Sequence, residues 1–405
     1  MKRIALVVNT LSSGGAERVA ANLSRELSGS YDVDIVLNDS VNISYPYAGE
    51  IIAVGMPPDK DRSGSAYQIA ALIRRTALLR RLKREKKYAA VLSFSDNTNL
   101  SNILSGSKYG KTIISIRYSL TGKELSEGRK DFLRRAVLRI CCRFADSVVC
   151  CSGEIRDQID RAHYFSKDKL EVIYNGISKV QSIEKSGRER SLNNKSRIIT
   201  IGRLSEQKAQ WHLLFALREL TDRGLRAELI ILGEGKLRQQ LEKLSRALGV
   251  DGSVSMPGWI EHPESFMRSA NVAAFTSTFE GFSNAIAECL SYGIPCVSTD
   301  HTTGARELLA PDTRPQDKIS DHIEYARYGI LVPVCSGGID ETISSGDDTG
   351  TCREASFEEK LLADALQEIL TDTDLSERYR KAGEDRAKQL SWEAAAEQWA
   401  EIIER

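Results

Sequence analysis

Glu280 and Glu288 bracket the run Glu280-Gly281-Phe282-Ser283-Asn284-Ala285-Ile286-Ala287-Glu288, which follows the apolar stretch Asn271-Val272-Ala273-Ala274-Phe275 and precedes Tyr292-Gly293-Ile294-Pro295. The pattern predicts a strand, a small-residue turn and a helix carrying a carboxylate at each end. A Gly-Phe-Ser-Asn turn at a helix start offers backbone N–H groups to an anion, and carboxylates eight positions apart, about two turns, lie roughly on one helix face. Such a place can hold a phosphate and several hydroxyls. Those are the two chemical faces of a nucleotide sugar, so the element points to glycosyl transfer.

Neighbouring strand ends supply the charge. Arg197–Ile201 reads as a strand and runs into Gly202-Arg203-Leu204-Ser205-Glu206-Gln207-Lys208 before a helical pattern. Two cations leaving a strand's carboxyl end, five residues apart, can clamp a diphosphate, Arg203 bidentately and Lys208 as a point charge. A diphosphate leaving group needs such neutralisation as its bond to a sugar breaks. Near the amino terminus, the strand Ile4–Val8 leads through Asn9-Thr10-Leu11-Ser12-Ser13-Gly14-Gly15-Ala16-Glu17-Arg18 into a helix, and Gly14-Gly15 lets the backbone approach a ligand at the helix's positive end. The absence of Gly-x-Gly-x-x-Gly removes the usual dinucleotide fingerprint, and with it most of the case for an oxidoreductase. After the strand at Pro295, the turn Thr299-Asp300-His301-Thr302-Thr303-Gly304-Ala305-Arg306-Glu307 brings Thr303 and Gly304 as further N–H donors; His301, a lone loop histidine, receives no role. Asp32-Val33-Asp34 and Asp372-Thr373-Asp374 begin a strand and fill a helix connection. Neither is placed as a metal-binding Asp-x-Asp, and no metal or other cofactor is expected.

Placing these residues requires a repeated βα scaffold, and the chain has its rhythm. Strands are expected at Ile4–Val8, Val33–Leu37, Ile51–Val54, Ala90–Phe94, Thr112–Ile116, Ser147–Cys151 and Glu171–Tyr174. A second series follows at Arg197–Ile201, Glu228–Leu232, Ser253–Met256, Val272–Phe275, Pro295–Ser298 and Gly329–Val332, with helices near 208–223, 235–249, 282–293, 355–371 and 375–389. The fold class is therefore α/β, with Rossmann-like domains at 1–178 and 197–390, a polar linker at 179–196, and a terminal helix at 391–405 that packs back over both. Ligands of such sheets bind beyond the carboxyl ends of the strands, so two domains share a cleft. The Gly-, Ser- and Asp-rich stretch 335–350 reads as an exposed loop.

Composition agrees with a globular chain. The 405 residues suit two domains, no apolar run reaches the roughly 18 to 20 residues of a membrane span, and the first apolar run is too short for a signal segment. A cytoplasmic location is expected. The eight cysteines form no Cys-x-x-Cys pair and read as buried free thiols. Charge is divided: residues 1–180 carry 29 Lys and Arg against 19 Asp and Glu, the remainder 27 against 37. The excess lies in Arg74-Arg75, Arg80–Lys87 and Arg129–Arg143, basic helices interleaved with leucines, which either meet anionic lipid headgroups at the inner membrane face or form a solvated or interdomain surface.

Together, Gly14-Gly15-Ala16-Glu17-Arg18-Val19, Val172-Ile173-Tyr174-Asn175-Gly176-Ile177, Gly202-Arg203-Leu204 with Lys208, and Glu280-Gly281-Phe282 through Glu288 to Pro295 resemble glycosyltransferase family 4, over nearly the whole chain and in order. The resemblance implies the GT-B fold and a retaining, metal-independent hexosyltransferase, similar to bacterial enzymes that extend lipid-linked glycans for capsules, O-antigens or glycoproteins. It implies an acceptor-binding N-domain and a C-domain that holds the nucleotide diphosphate sugar, with a UDP-sugar favoured.

By the same resemblance, Arg203 and Lys208 bind the donor diphosphate, Glu288 the ribose hydroxyls and Glu280 the transferred sugar. Backbone N–H groups of Phe282, Ser283 and Asn284 complete the site, and Asn175-Gly176 lies at the hinge. Many members have an N-domain histidine near the donor sugar, whereas residues 1–162 here contain none; Arg117, in Ser115-Ile116-Arg117-Tyr118-Ser119, is the matching candidate for sugar or acceptor phosphate. The expected partners are donor, lipid-linked acceptor and an anionic membrane surface, with no nucleic acid. Two other functions fit the same features: epimerisation of a nucleotide sugar, and a non-catalytic nucleotide-sugar-binding scaffold.

Overall fold

Strands of a parallel sheet are covered by helices on both faces, so the chain builds them from unbroken Ile- and Val-rich runs rather than alternating ones. The computed structural model describes residues 1–12, 14–41, 43–56, 64–120, 129–164, 169–177, 195–301, 304–339 and 352–405. It divides into two compact units, Met1–Gly176 with Leu390–Arg405, and Ile177–Gln389.

The first unit runs β1 (Lys2–Val7), α1 (Gly15–Leu27), β2 (Tyr31–Leu37), β3 (Glu50–Ala53), α2 (Ser65–Lys86), β4 (Ala90–Ser93), α3 (Asp96–Ser105), β5 (Lys111–Ile116), α4 (Arg129–Phe144), β6 (Ser147–Cys150), α5 (Gly153–Arg161) and β7 (Leu170–Val172). Its parallel sheet has the order β3-β2-β1-β4-β5-β6-β7. The second unit runs β8 (Ser196–Ile201), α6 (Trp211–Asp222), β9 (Ala227–Leu232), α7 (Arg238–Ala247), β10 (Val254–Gly258), α8 (Glu264–Ser269), β11 (Val272–Phe275), α9 (Asn284–Ser291), β12 (Cys296–Thr299), α10 (Ala305–Leu309), β13 (Glu324–Tyr325), β14 (Ile330–Val332), α11 (Phe357–Thr371) and α12 (Thr373–Gln389). Its order is β10-β9-β8-β11-β12-β14-β13, parallel except for the short antiparallel edge strand β13, which the apolar pattern does not announce. Among the parallel strands each order reverses once, between β1 and β4 and between β8 and β11. Loops leaving the carboxyl ends of the two strands at a reversal diverge, and a crevice opens between them. In the second unit those loops are the ones that follow β8 and β11, which carry Arg203, Lys208 and Glu280.

The terminal helix α13 (Trp392–Glu404) belongs to the first unit and buries its apolar face there. Trp392, Ala395, Trp399, Ile402 and Ile403 share one buried cluster with Ile4, Leu6, Leu23 and Phe94 of the first unit, the rings of Phe94 and Trp399 lying 5.8 Å apart. A Cβ on Gly176 would come within 2.3 Å of Trp392 Cδ2, so a glycine is required where the first unit ends. The expected linker falls mostly on residues 178–194, outside the described residues, with β8 already beginning at Ser196; the loop expected at 335–350 is described only to Ile339.

Not all cations of the basic helix α2 lie on a solvated or headgroup-facing surface, because some of them turn inward. Arg75 and Lys83 are each 1% exposed. Arg75 donates to Asn9 and Asn38 at the carboxyl ends of β1 and β2, and burial pushes its guanidinium down to about 10. Lys83 donates to Asn102 Oδ1 (3.0 Å) and Gly106 O (2.7 Å), and burial, against the charge of Asp146, pushes its amine down to about 8. Lys86 pairs with Asp34 at 2.8 Å, which places Asp34, and the Asp32-Val33-Asp34 run, in a structural role. Asp372 likewise caps α12 through the N–H groups of Asp374 and Leu375. Seven of the eight cysteines are buried and all are free thiols.

A buried charge cluster joins α6 to α11. Glu359, fully buried in the capping box of α11, accepts hydrogen bonds from Arg353, His212 Nδ1 and the Ser356 N–H. Burial alone raises a carboxyl, but these partners outweigh it and hold Glu359 below the ordinary value. A depressed folded-state pKa contributes stability that is complete above the unfolded value and is lost as pH falls. Melting followed by circular dichroism from about pH 6 to about pH 3 is therefore expected to show Glu359→Gln less stable at the upper end and with a shallower acid slope than the wild type. Parallel curves would contradict this role.

Candidate functional site

In the second unit the loops after β8, β9 and β11 are pressed together at the strand reversal by glycines and by side-chain hydrogen bonds. A Cβ on Gly233 (φ +142°) would lie 2.0 Å from Gly202 O, and one on Gly235 would lie 2.2 Å from Leu204 O, so the β9 turn can only be glycine. Leu204 N donates to Glu234 O at 3.0 Å and Gly233 N to Gly258 O at 2.9 Å, which extends the contact to β10. On the other side, Thr276 Oγ1 donates to Lys208 O (3.1 Å) and Ala209 O (2.9 Å). Thr278 N donates to Gln207 O, and Gln207 Nε2 to Phe279 O, each at 2.9 Å.

This zipper delivers Lys208 to Glu280. The two form an ion pair, with side chains 20% and 10% exposed, and Ser277 Oγ donates to the same Glu280 oxygen at 3.0 Å. Partial burial makes such a pair worth more than a surface pair while leaving both groups within reach of solvent. Arg203 remains exposed and makes no ion pair among the described residues. The loop thus presents one cation already neutralised and one that is not.

Glu280 does not lie on the helix. Helix α9 begins at Asn284, so the carboxylate is held by the loop, four residues earlier, and the expectation that Glu280 and Glu288 share a helix face by two-turn spacing is corrected. Glu288 sits half-buried on α9, where its charge adds to burial in raising Cys289 and Tyr292. Phe282 and Ser283 are buried, and Asn284 N donates to Phe282 O at 3.0 Å. Gly304 (φ +92°) meets this turn directly: a Cβ there would lie 3.1 Å from Ser283 N and 3.3 Å from Phe282 Cα. Thr303 lies outside the described residues. Behind Gly304, Asp300 is held by Arg306 (2.7 Å), which also binds Glu324 (2.7 Å); all of Arg306 but 1% is buried, so this cluster ties Asp300 to the start of α10. His301 is fully buried, its carbonyl accepting from Lys318 at 2.9 Å, and is no solvated loop side chain.

The first unit carries the other predicted residues on its own carboxyl edge. Gly14 (φ +112°) is the N-cap of α1, whose first residue is the exposed Gly15. A Cβ on Gly14 would lie 2.4 Å from Glu17 Oε2, so the helix start is folded against its own carboxylate. Burial raises the Glu17 carboxyl, opposed by its own backbone N–H and by the charge of Arg117. Arg117, half-buried past the end of β5, donates to Ser115 Oγ at 3.1 Å and to Asn175 Oδ1 just before Gly176; burial lowers its guanidinium below the ordinary value. Glu17, Gln207, Thr276, Ser277, Gly233 and Gly235 are site residues that sequence reasoning did not single out. Only the Gly-Glu-Gly spacing at the end of a predicted strand carried a signal.

Comparison with known proteins gives a consistent picture. Residues 13–179 match the family model of Glycosyltransferase Family 4, and residues 195–333 that of Glycosyl transferases group 1. An uncharacterized glycosyltransferase of Methanocaldococcus jannaschii is 30% identical over 82% of this chain and 83% of its own length. The N-acetylgalactosamine-N,N'-diacetylbacillosaminyl-diphospho-undecaprenol 4-alpha-N-acetylgalactosaminyltransferase of Campylobacter jejuni is 28% identical over 77% of this chain and 84% of its own. The crystal structure of Anabaena HepE in complex with UDP and glucose superposes with a TM-score of 0.73 over 100% of both chains at 18% identity, a likeness of fold.

Gly304→Ala is expected to lower stability by about 1 kcal/mol or more, because a Cβ is disfavoured at that φ and would crowd Ser283 N. Thermal melting checks it, and an unchanged midpoint would remove Gly304 from the packed turn.

Proposed function

This chain belongs to Glycosyltransferase Family 4, with the GT-B fold, and from that membership we propose that it is a retaining, metal-independent enzyme that moves a hexose or N-acetylhexosamine from a nucleotide diphosphate sugar to a lipid-linked glycan. Glycosyl transfer is the common ground of the relatives, and the names of several place it in lipopolysaccharide or lipid-linked glycan synthesis; polyprenyl diphosphate as the carrier is suggested by the name of the Campylobacter enzyme. A UDP-sugar is the favoured donor, in keeping with the UDP bound by the Anabaena fold relative.

The observation that carries the reading is the Lys208–Glu280 pair beside the exposed Arg203, which makes no ion pair among the described residues, at the strand reversal. The donor's diphosphate takes Arg203 and draws Lys208 from Glu280. Glu280, released, accepts hydrogen bonds from hydroxyls of the transferred sugar, while Glu288 holds the ribose and the Phe282–Asn284 turn, with Gly304, faces the donor; Thr303 is assigned to the donor from sequence alone. In the reaction the bond between the anomeric carbon and the diphosphate oxygen breaks and a bond to the acceptor oxygen forms on the same face. The acceptor proton passes to the departing phosphate, whose charge Arg203 and Lys208 carry. Gly14-Gly15 is assigned to the donor and Arg117 to the sugar or acceptor phosphate, in place of a histidine.

Docking at the inner face of the cytoplasmic membrane is part of the proposal. Among the described residues no helix is long and apolar enough to cross a bilayer. Helix α4 instead exposes Phe132, Leu133, Ile140 and Phe144 among the exposed Arg135, Arg139 and Arg143, a composition suited to the headgroup boundary of an anionic leaflet.

Purified protein given a UDP-sugar panel and polyprenyl-diphosphate-linked acceptors is expected to form an acceptor-dependent product; binding of no nucleoside diphosphate and no transfer would refute the reading. Product formed without acceptor would favour epimerisation. Arg203→Ala and Lys208→Ala are each expected to weaken UDP binding by about 10- to 100-fold, read by calorimetry. Glu280→Gln has the opposite sign on UDP, which carries no sugar: binding tightens because Lys208 is no longer neutralised, while kcat falls by about 100-fold or more. Weaker UDP binding by Glu280→Gln would contradict the exchange of partners.

A further inference from the structure

We propose that the first unit holds a second anion site, for a phosphate oxyanion, in a cavity of about 140 Å³ lined by Arg80, Lys83, Arg84, Ser105, Lys108 and Tyr109. The cavity lies where α2 and α3 end, just before β4 and β5 begin. It is therefore at the amino edge of the sheet, whereas Gly14 and Arg117 follow the carboxyl ends of β1 and β5.

Its four cations are not equivalent. Arg80 Nη2 donates to Leu104 O at 2.7 Å, and Lys83 Nζ is surrounded by Asn102 O, Asn102 Oδ1, Gly106 O and Thr112 Oγ1 at 2.7 to 3.3 Å. These two satisfy the last carbonyls of α3 and answer its negative helix end. Arg84 and Lys108 have no such task. Both are exposed and pair with no carboxylate among the described residues; Lys108 lies 5.2 Å from the Tyr109 ring centre. The contrast on the same helix is Arg81, which meets Glu85 across one turn at 3.8 Å. None of its lining residues is a carboxylate, so positive charge converges on a space that admits a phosphate group.

Leu104 and Tyr109, 47% and 40% exposed, flank the same corner, an apolar rim that favours a lipid headgroup phosphate over a phosphate free in solution. The lipid source rests on the membrane docking proposed above; the cavity itself does not. Its place on the amino edge lets it bind a headgroup without competing with donor or acceptor.

The test compares full-length wild type with Arg84→Ser/Lys108→Ser, whose exposed side chains leave the core intact, and with Arg81→Ser as the single-charge control outside the cavity. Flotation uses phosphatidylcholine vesicles with and without about a quarter phosphatidylglycerol, and inorganic phosphate is titrated calorimetrically in parallel. The wild type is expected to float with the anionic vesicles only, the double variant to lose about tenfold or more of that partitioning, and the control to lose about threefold or less. Phosphate binding lost in the double variant without a vesicle effect would assign the site to a soluble phosphate. Wild type that binds neither probe, a double variant that binds like wild type, or a control as impaired as the double variant would overturn the site. Sugar transfer to a detergent-dispersed acceptor, measured in the same proteins, separates this failure from failure of the transferase reading, because it is expected to be unchanged in the double variant.

Discussion

The hydrogen-bonded contact between 207–209 and 276–280 sets the chemistry of the second unit. Thr276 and Thr278 grip the backbone of Gln207, Lys208 and Ala209, and Gln207 returns the grip to Phe279 O. Without it, Lys208 and Glu280 would be flexible groups at the ends of separate strands. With it they form a largely buried ion pair at the place where the strand order reverses. A cation held by an internal carboxylate is spared a lone desolvated charge, yet it can exchange that carboxylate for a diphosphate carrying more charge.

The glycines serve the same end by a different route. Gly233 and Gly235 allow the β9 turn to meet the backbone of Gly202 and Leu204, and Gly304 packs against Phe282 and Ser283. The site is built from loop against loop, with side chains left over to face a ligand. In the first unit Gly14 plays a related part, admitting the Glu17 carboxylate against the start of α1.

Much of this was legible before any coordinates. Two series of βα repeats give the two sheets, and the Arg203 to Lys208 spacing after a strand gives the cationic loop. The helix-face reading of Glu280 and Glu288 failed because the turn extends to Ser283, so a periodicity that holds only within a helix was applied to a loop residue. Gln207 and Thr276 escaped notice because uncharged polar residues bonding to backbone across 70 or so positions leave no local pattern. Gly233 and Gly235 matter only because β9 lies beside β8, a fact of strand order. On α2, the cationic run suggested a solvated or lipid-facing surface, yet Arg75 and Lys83 are buried because polar atoms from other elements, Asn9, Asn38, Asn102 and Gly106, receive them. Cations that look alike in sequence thus divide into those that hold the fold and those that face outward, such as Arg84 and Lys108 on the cavity wall or Arg135 and Arg139 on α4.

The central claim is an exchange of partners, Lys208 moving from Glu280 to the diphosphate as Glu280 turns to the sugar. A crystal structure of the protein with an intact, non-transferable UDP-sugar analogue tests it most directly. The account predicts Lys208 Nζ and the Arg203 guanidinium on phosphate oxygens and Glu280 on sugar hydroxyls, with the Lys208–Glu280 pair open. A donor bound with that pair still closed, or bound away from the β8 and β11 loops, would contradict it.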